Sequence, residues 1–379
     1  MTTAAPASVE DDLRLSKASF ADLPNWSGDS VAAALPALHQ SCITMMRVPK
    51  VRPVGPDGIG GTHADWFPAC EDLVRLIEEQ NGDITDQTAR DFFEQHFNLW
   101  QVSDTGGDTS GLFTGYYEPL IRASRTRGGD YQTPVHARPD DMVSVTLSHF
   151  LPGLEGKQVT GKVVDGRLVK YDDRATIARK GLEGRAEAIV WADSAIDVFF
   201  LEIQGSGRAL LDTGETIRLG YAAQNGHRYH AIGKTLLDRG EATRDEMSMP
   251  FIRNWLETHP KQAQALMNRN PSYVFFEEQD GPGPLGAQGV PLTAGRSLAV
   301  DRFRMPYGAP VFLDASHPVE GQPPLQRLMI AQDTGGAIRG AVRGDVFWGF
   351  GPEAEQAAGL MKSRGRYWLM LPASVDPHR

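Results

Sequence analysis

Glycine and proline limit what this chain can become: 40 glycines and 25 prolines, 65 of 379 residues, interrupt it too often for long helices. Both residues break regular structure, so the pattern favours many short strands joined by tight turns, with helices where the punctuation thins. A hydrophobic fraction of 41% and a charged fraction of 23% leave enough apolar material for a core, and the length suits one large domain or two ordinary ones. The formal charge of -10, with no dense Lys/Arg patch, argues against nucleic acid as a partner. No apolar run reaches membrane-spanning length, since the best candidate, residues 188–203, contains Asp193, Asp197 and Glu202.

Residues 1–19 lack periodicity and read as a disordered lead, with neither the basic start nor the apolar stretch of a secretory signal. Helices are expected over 30–41, 69–80 and 86–97, the last with Ala89, Phe92, Phe93 and Phe97 on one face. From Trp100 the pattern changes to short strands over 111–117, 133–137, 158–168, 187–191 and 216–222. A helical block follows at 229–239, 250–258 and 261–268, marked by Gly240, Pro250 and Pro260. Strands return at 273–277, 297–300, 309–313, 326–332, 344–348 and 366–371. Cys42 and Cys70 flank a Pro/Gly-rich stretch and read as a disulfide in an oxidising compartment or as two buried thiols in a reducing one. Two cysteines without clustered histidines imply no metal site.

The densest chemistry lies in SLAVDRFRMPYGAPVFLD and LMIAQDTGGAIRGAVRGDVFWGFG, between Ser297 and Gly351. Asp301, Asp333 and Asp345 each stand at the edge of an apolar strand beside a bend, where a barrel can present carboxylates at its rim. For Asp301 and Asp333 a turn role, satisfying nearby backbone amides, is equally open. Asp345 is the functional candidate, because Phe347 and Trp348 follow it: an aromatic floor raises a carboxyl's pKa and can stack on a sugar. Asp-Thr-Gly, the tripeptide that aspartic proteases use in pairs, starts at Asp104, Asp212 and Asp333, but VSDTGGDT, LLDTGETI and AQDTGGAI share little else and read as chance turns.

Three other segments carry polar groups. GLFTGYYEPLI offers Thr114, Tyr116, Tyr117 and Glu118 on a strand that either lines a sugar groove or is an ordinary aromatic strand. FFLEIQGSGRALL sets Gln204 and Ser206 among glycines, as the wall of a groove or as a bulged turn. GYAAQNGHRYHAIGK brings His227 and His230 to a turn before a helix, in a structural or groove-lining role and not as metal ligands. No Gly-x-Ser-x-Gly elbow supports a Ser-His-Asp hydrolase.

Taken in order, TGYYEP (114–119), FFLEIQGSG (199–207), GYAAQNGHRYHAIGK (220–234), MSM (247–249), NPSYVFF (270–276) and the three-aspartate region closing with GPEA (351–354) resemble the membrane-bound lytic murein transglycosylase A (MltA) family, with its C-terminal three-aspartate (3D) region. The resemblance implies a mainly β fold with helices: a double-psi β-barrel catalytic domain from 20–119 and 280–379, a smaller β domain inserted at 120–279, and a groove between them. It implies a peptidoglycan lytic exotransglycosylase, a carbon–oxygen lyase that cleaves the β-1,4 bond between N-acetylmuramic acid and N-acetylglucosamine and forms 1,6-anhydro-N-acetylmuramic acid, without cofactor or metal. Asp345 maps onto the family's single acid/base, with Asp333 and Asp301 as supporting companions. Thr114, Tyr117, Gln204, Ser206 and Trp348 are the substrate-binding candidates.

The implied partners are peptidoglycan glycan strands and other cell-wall enzymes, with membrane association only through a lipid anchor that this N-terminus does not encode. The implied location is the periplasm at the outer membrane, and with it a disulfide between Cys42 and Cys70. The competing readings are an aspartic protease-like hydrolase, which would need two of the Asp-Thr-Gly aspartates, and a non-catalytic glycan-binding module, which would bind murein and release nothing.

Overall fold

The chain opens on a short strand, β1 (Arg14–Ala18), in a computed structural model that describes residues 13–154, 157–281 and 283–378. Three helices follow, α1 (Leu35–Met46), α2 (His63–Glu79) and α3 (Asp86–His96), and their starts are written in local chemistry. Thr62 and Asp65 form a reciprocal capping box at α2, and the Thr85 side chain accepts the Thr88 amide at α3, so free donors of each first turn are satisfied. Strands then take over: β2 (Phe97–Ser103), β3 (Gly111–Glu118), β4 (Leu120–Ser124), β5 (Thr133–His136), β6 (Met142–Thr146), β7 (Gln158–Val164) and β8 (Arg167–Lys170). The middle of the chain alternates, with α4 (Arg174–Lys180), β9 (Ala188–Ala192), α5 (Ala195–Gln204), β10 (Gly207–Leu211) and β11 (Thr216–Gln224). Helices α6 (Ile232–Asp238), α7 (Met249–Thr258) and α8 (Pro260–Met267) precede β12 (Val274–Glu278), β13 (Ser297–Val300), β14 (Pro310–Ala315), β15 (Leu325–Asp333) and β16 (Arg343–Phe350). The chain closes with α9 (Pro352–Leu360) and β17 (Lys362–Pro372).

These elements divide into two units, one drawn from Met1–Tyr116, Leu285–Gly349 and Met361–Arg379, the other from Tyr117–Pro284 and Phe350–Leu360. In the first, the strands β17, β14, β15, β13, β16 and β3 lie side by side in that order, and β3 pairs back onto β17. Six strands thus come full circle, which removes the free edges that an open sheet would expose. The expected fold class, mainly β with helices and built on a barrel, is borne out. β13 runs parallel to β15 and antiparallel to β16, so the chain must cross the barrel between neighbouring strands. Leu313, Tyr367 and Leu369 share one buried face of these strands, where Phe113 meets Tyr367, and Phe312 and Leu328 are buried on the opposite face, with Phe312 edge-on to Trp26.

The helices of this unit are fastened to the barrel by buried polar groups as well as apolar packing. Arg296 grips both carboxylate oxygens of Asp29 at 3.0 Å, and the Leu328 amide donates to the same carboxylate at 2.8 Å. Gln332 on β15 donates to the Ala37 carbonyl at 2.8 Å and to Ser41 Oγ at 2.9 Å. Cys42 on α1 and Cys70 on α2 are joined by a disulfide.

One expectation for the N-terminus needs correction. Residues 1–12 lie outside the described residues, but Arg14–Ala18, placed in the disordered lead, is a strand paired antiparallel with β2. Leu15 is its one buried side chain, so the strand is held by its hydrogen-bond ladder and a single apolar anchor, and no periodic signal announces it.

The second unit contains a six-stranded sheet in the order β12, β11, β10, β4, β9, β5 and a three-stranded sheet of β6, β7 and β8. Ile121, Val190, Leu201, Leu219 and Phe276 form one of its cores, and Phe199, Phe200, Leu236, Trp255 and Leu266 another. Within it, the segment read as a groove wall or bulged turn is the end of a helix. Ser194 caps α5 by accepting the Asp197 amide, and Gly205, at φ 80, ends it in the left-handed conformation that glycine adopts without strain. Glu202 on α5 is buried against Arg174, whose guanidinium also donates to the Asn270 and Ser272 carbonyls.

Candidate active site

The register of three barrel strands gathers two of the three aspartates. Ala299 on β13 pairs with Asp333 on β15 and also with Asp345 on β16. Cross-strand partners share a face of the sheet, so the two acids flank a residue whose side chain is one methyl group, with their backbones about 10 Å apart, two strand spacings. Tyr116, Leu292, Ala299, Ile338 and Phe347 form a small buried apolar cluster around this point.

Asp345 has two immediate neighbours. The Thr114 hydroxyl lies 2.7 Å from its Oδ1, and Thr114 Oγ1 in turn accepts from Arg343 Nη2 at 2.8 Å. Arg343 Nη1 donates to the carbonyls of Leu112 and Gly344, so its guanidinium is fixed by β3 and by the acid's own strand, β16. Burial pushes the Asp345 carboxyl up to about 6; the Arg343 charge and the Thr114 hydrogen bond oppose the rise, and the charge of Asp333 adds to it. Burial also lowers the Arg343 guanidinium from its ordinary value, with Asp345 acting the other way.

Asp333 is held differently. Its Oδ2 accepts from the Tyr116 hydroxyl at 2.8 Å, and its Oδ1 from the amides of Ala287 at 2.9 Å and Thr334 at 2.8 Å. Burial raises its pKa and these three donors oppose that rise, since each favours the carboxylate. Tyr116 is pushed well above the usual phenol range by burial and by the adjacent Asp333. Two carboxyls on one face thus have unlike surroundings: both are raised by burial, but Asp333 is opposed by three hydrogen-bond donors and Asp345 by one together with the Arg343 charge.

Asp301, the residue after β13, is fully buried and engaged with the protein. It accepts the amides of Phe303 at 3.1 Å and Gly340 at 2.9 Å and pairs with Arg304 at 2.9 Å. Its carboxylate therefore ties the turn after β13 to the loop between β15 and β16, which is the turn role that residue type left open.

In the second unit, the Tyr117 hydroxyl donates to Glu355 at 3.0 Å and the Tyr117 amide donates to the Gln204 side chain at 3.1 Å. Burial, followed by the charge of Glu355, raises the Tyr117 phenol from its usual value. Ser206 is buried at the turn from α5 into β10. Trp348 departs from expectation: it packs on the main core of the first unit and edge-on to His317, with ring centroids 5.4 Å apart. Side chains alternate along a strand, so Phe347 shares the face of Asp345 and Trp348, three positions away, takes the opposite one. The aromatic partner of the acid's face is Phe347, whose ring is 5.2 Å from that of Tyr116.

Several motif residues prove to be braces. Asn225 is fully buried, accepts the Tyr273 amide and donates to the carbonyls of Asp172 and Pro271; His227 contacts the Tyr171 carbonyl and His230 the Thr235 hydroxyl. Of the Asp-Thr-Gly aspartates, Asp104 caps its own turn by accepting the Asp108 amide, and Asp212 is exposed between β10 and β11. Among the described residues, no group of three or more His, Cys, Asp or Glu side chains is placed to hold a metal ion. Arg343 and Glu355 were missing from the sequence-derived site, and Tyr116, named in its motif, was not among the substrate-binding candidates. The period-2 rule applied from Asp345 would have singled out Arg343 and Phe347, whereas only the folded chain joins Glu355 to Tyr117.

Residues 112–277 match the MltA specific insert domain, and residues 296–371 match the 3D domain. Membrane-bound lytic murein transglycosylase A of Escherichia coli (strain K12) is 36% identical over 320 residues, which span 83% of this chain and 77% of that protein. The crystal structure of membrane-bound lytic murein transglycosylase from Agrobacterium tumefaciens superposes with a TM-score of 0.83 at 34% identity, covering 94% of this chain and 97% of the other. The crystal structure of E. coli MltA with bound chitohexaose gives 0.63 at 29% identity, over 95% and 94% of the two chains. With relatives this similar over most of its length, the chain belongs to the membrane-bound lytic murein transglycosylase A family.

Proposed function

We propose that this protein cleaves the β-1,4 bond between N-acetylmuramic acid and N-acetylglucosamine in peptidoglycan, with Asp345 as the single acid/base. The observation that carries the reading is the state of that one carboxyl: half-buried on the barrel, held through Oδ1 by Thr114 and pushed up to about 6, so that it keeps a proton at mildly acidic pH. Asp345 donates this proton to the glycosidic oxygen as the bond to C1 of N-acetylmuramic acid breaks. The resulting carboxylate then accepts the proton of that sugar's C6 hydroxyl while O6 bonds to C1. The acid is regenerated, no water is consumed, and the product carries a 1,6-anhydro ring.

A hydrolase would need a second carboxylate free to activate water or attack carbon. Asp333, the acid on the same face, is bound by three donors, which suits a fixed negative charge that favours the protonated form of its neighbour. The substrate class follows the relatives, one of which is the E. coli protein with bound chitohexaose, a chain of β-1,4-linked N-acetylglucosamine. Thr114, Tyr117, Gln204 and Ser206 are proposed to contact the glycan. Work at the periplasmic face of the outer membrane fits the membrane-bound relatives and the Cys42–Cys70 disulfide; among the described residues no helix is long and apolar enough to cross a membrane.

Mass spectrometry of the soluble products from purified sacculi, treated with the wild type or with Asp345→Asn, tests the reading. Anhydro-muramic acid ends from the wild type alone support it; reducing ends from the wild type, or equal release by both proteins, overturn it.

A further inference from the structure

The hydrogen-bond roles around Asp345 have one assignment that satisfies every group. A guanidinium only donates, so the 2.8 Å contact makes Thr114 Oγ1 the acceptor from Arg343. A threonine hydroxyl holds one proton, and its neighbour at 2.7 Å is Asp345 Oδ1, so the hydroxyl donates there. Oδ1 is then an acceptor in both protonation states, which leaves Oδ2 as the oxygen that bears the proton. Arg343 cannot swing away without giving up the carbonyls of Leu112 and Gly344 as well.

We propose that Arg343, acting through Thr114, is a positioning residue that keeps Oδ1 of Asp345 an acceptor and confines the transferable proton to Oδ2. This rests on Asp345 being the acid/base. The relay also works on proton affinity, because a hydroxyl polarised by a cation is a stronger donor to a carboxylate. The other groups facing the acid are Tyr116 on β3, uncharged while its phenol is pushed up, Asp333 on β15, which opposes Arg343, and Ala299 on β13, which does not titrate. Arg343 and Thr114 are therefore the groups on that face that hold the acid down.

The test is the pH dependence of soluble muropeptide release at low sacculus concentration, over roughly pH 4.5 to 8, where the basic limb reports loss of the acid's proton. Arg343→Gln is expected to move that limb upward by about one pH unit, because the carboxyl becomes harder to ionise. Thr114→Val should move it the same way and Thr114→Ser should restore it, while Arg343→Gln in the Thr114→Val background should add only the direct effect of the lost charge, less than it does in the wild type. Arg343→Lys keeps the charge but loses the fork, and stands in if the glutamine variant is misfolded by circular dichroism; an upward shift of the limb is expected for it too. A fall in rate at every pH with the limb unmoved, in folded variants, overturns the relay and leaves Arg343 a structural residue. Asp345→Asn is run in parallel: activity in that variant overturns the acid assignment, and the relay with it, whereas an inactive Asp345→Asn beside an unmoved limb overturns the relay alone.

Discussion

Asp333 faces Asp345 across the methyl group of Ala299 and raises its pKa. Three donors favour the carboxylate of Asp333 against the burial that raises its pKa, and in that form its charge makes ionisation of Asp345 costly. The rate of the wild type should fall as pH rises through about 6, losing roughly tenfold per unit once most of the acid is ionised. Asp333→Asn should move that fall to lower pH, the reverse of Arg343→Gln. Muropeptide release measured across pH checks the direction, and a limb that stays in place or rises would contradict the coupling.

The same carboxyl has a stability signature. Its folded pKa is raised, so the protonated carboxyl is favoured by folding; that contribution is fully present below about pH 4 and is lost as pH rises through about 6. Asp345→Asn, which carries no charge at any pH, should therefore match the wild type near pH 4 and exceed it near pH 7.5 by on the order of 2 kcal/mol. Denaturant unfolding at the two pH values decides it. Equal differences at both would mean that the carboxyl is not held in its neutral form.

Ala299 puts no more than a methyl group between the two acids, in a buried cluster with Tyr116 and Phe347. Ala299→Leu should cost about 1 to 3 kcal/mol from overpacking, and should reduce murein cleavage further than the stability loss explains. A variant with unchanged activity would show that the small residue at this position has no part in catalysis.

In the second unit, Arg174 and Glu202 form a buried ion pair. Arg174→Met leaves a carboxyl without its cation, and a loss of roughly 3 to 5 kcal/mol is expected. Thermal unfolding of the variant measures it, and a change below about 1 kcal/mol would place the strength of this region in its apolar packing instead.

Much of the barrel was legible because its strands are short, apolar and bounded by glycine: residues 297–300 were read with the bounds that β13 has. Asp345 could be chosen from its strand-edge position, and the burial that raises its pKa agrees with an apolar flank. Strand alternation should have turned the choice of aromatic partner from Trp348 to Phe347, and would also have produced Arg343. β1 escaped because one buried side chain in five residues makes no pattern. α5 escaped because AIDVFFLEIQ is apolar on nearly every side, so neither period stands out, and the Ser194 cap was the remaining signal. Glu355 lies on α9, 238 positions from the Tyr117 hydroxyl it accepts, and no local pattern reports such a contact.

The bond between Cys42 and Cys70 imposes an order of events. Both residues are 1% exposed once α1 lies against α2, so no oxidant reaches the sulfurs in the finished fold. The bond has to form while the two helices are still apart, on a chain already surrounded by oxidising conditions; in a reducing compartment the thiols would be sealed in unjoined. For a protein of the periplasm, as proposed above, export would come before oxidation, and the helical cover of the barrel would settle last.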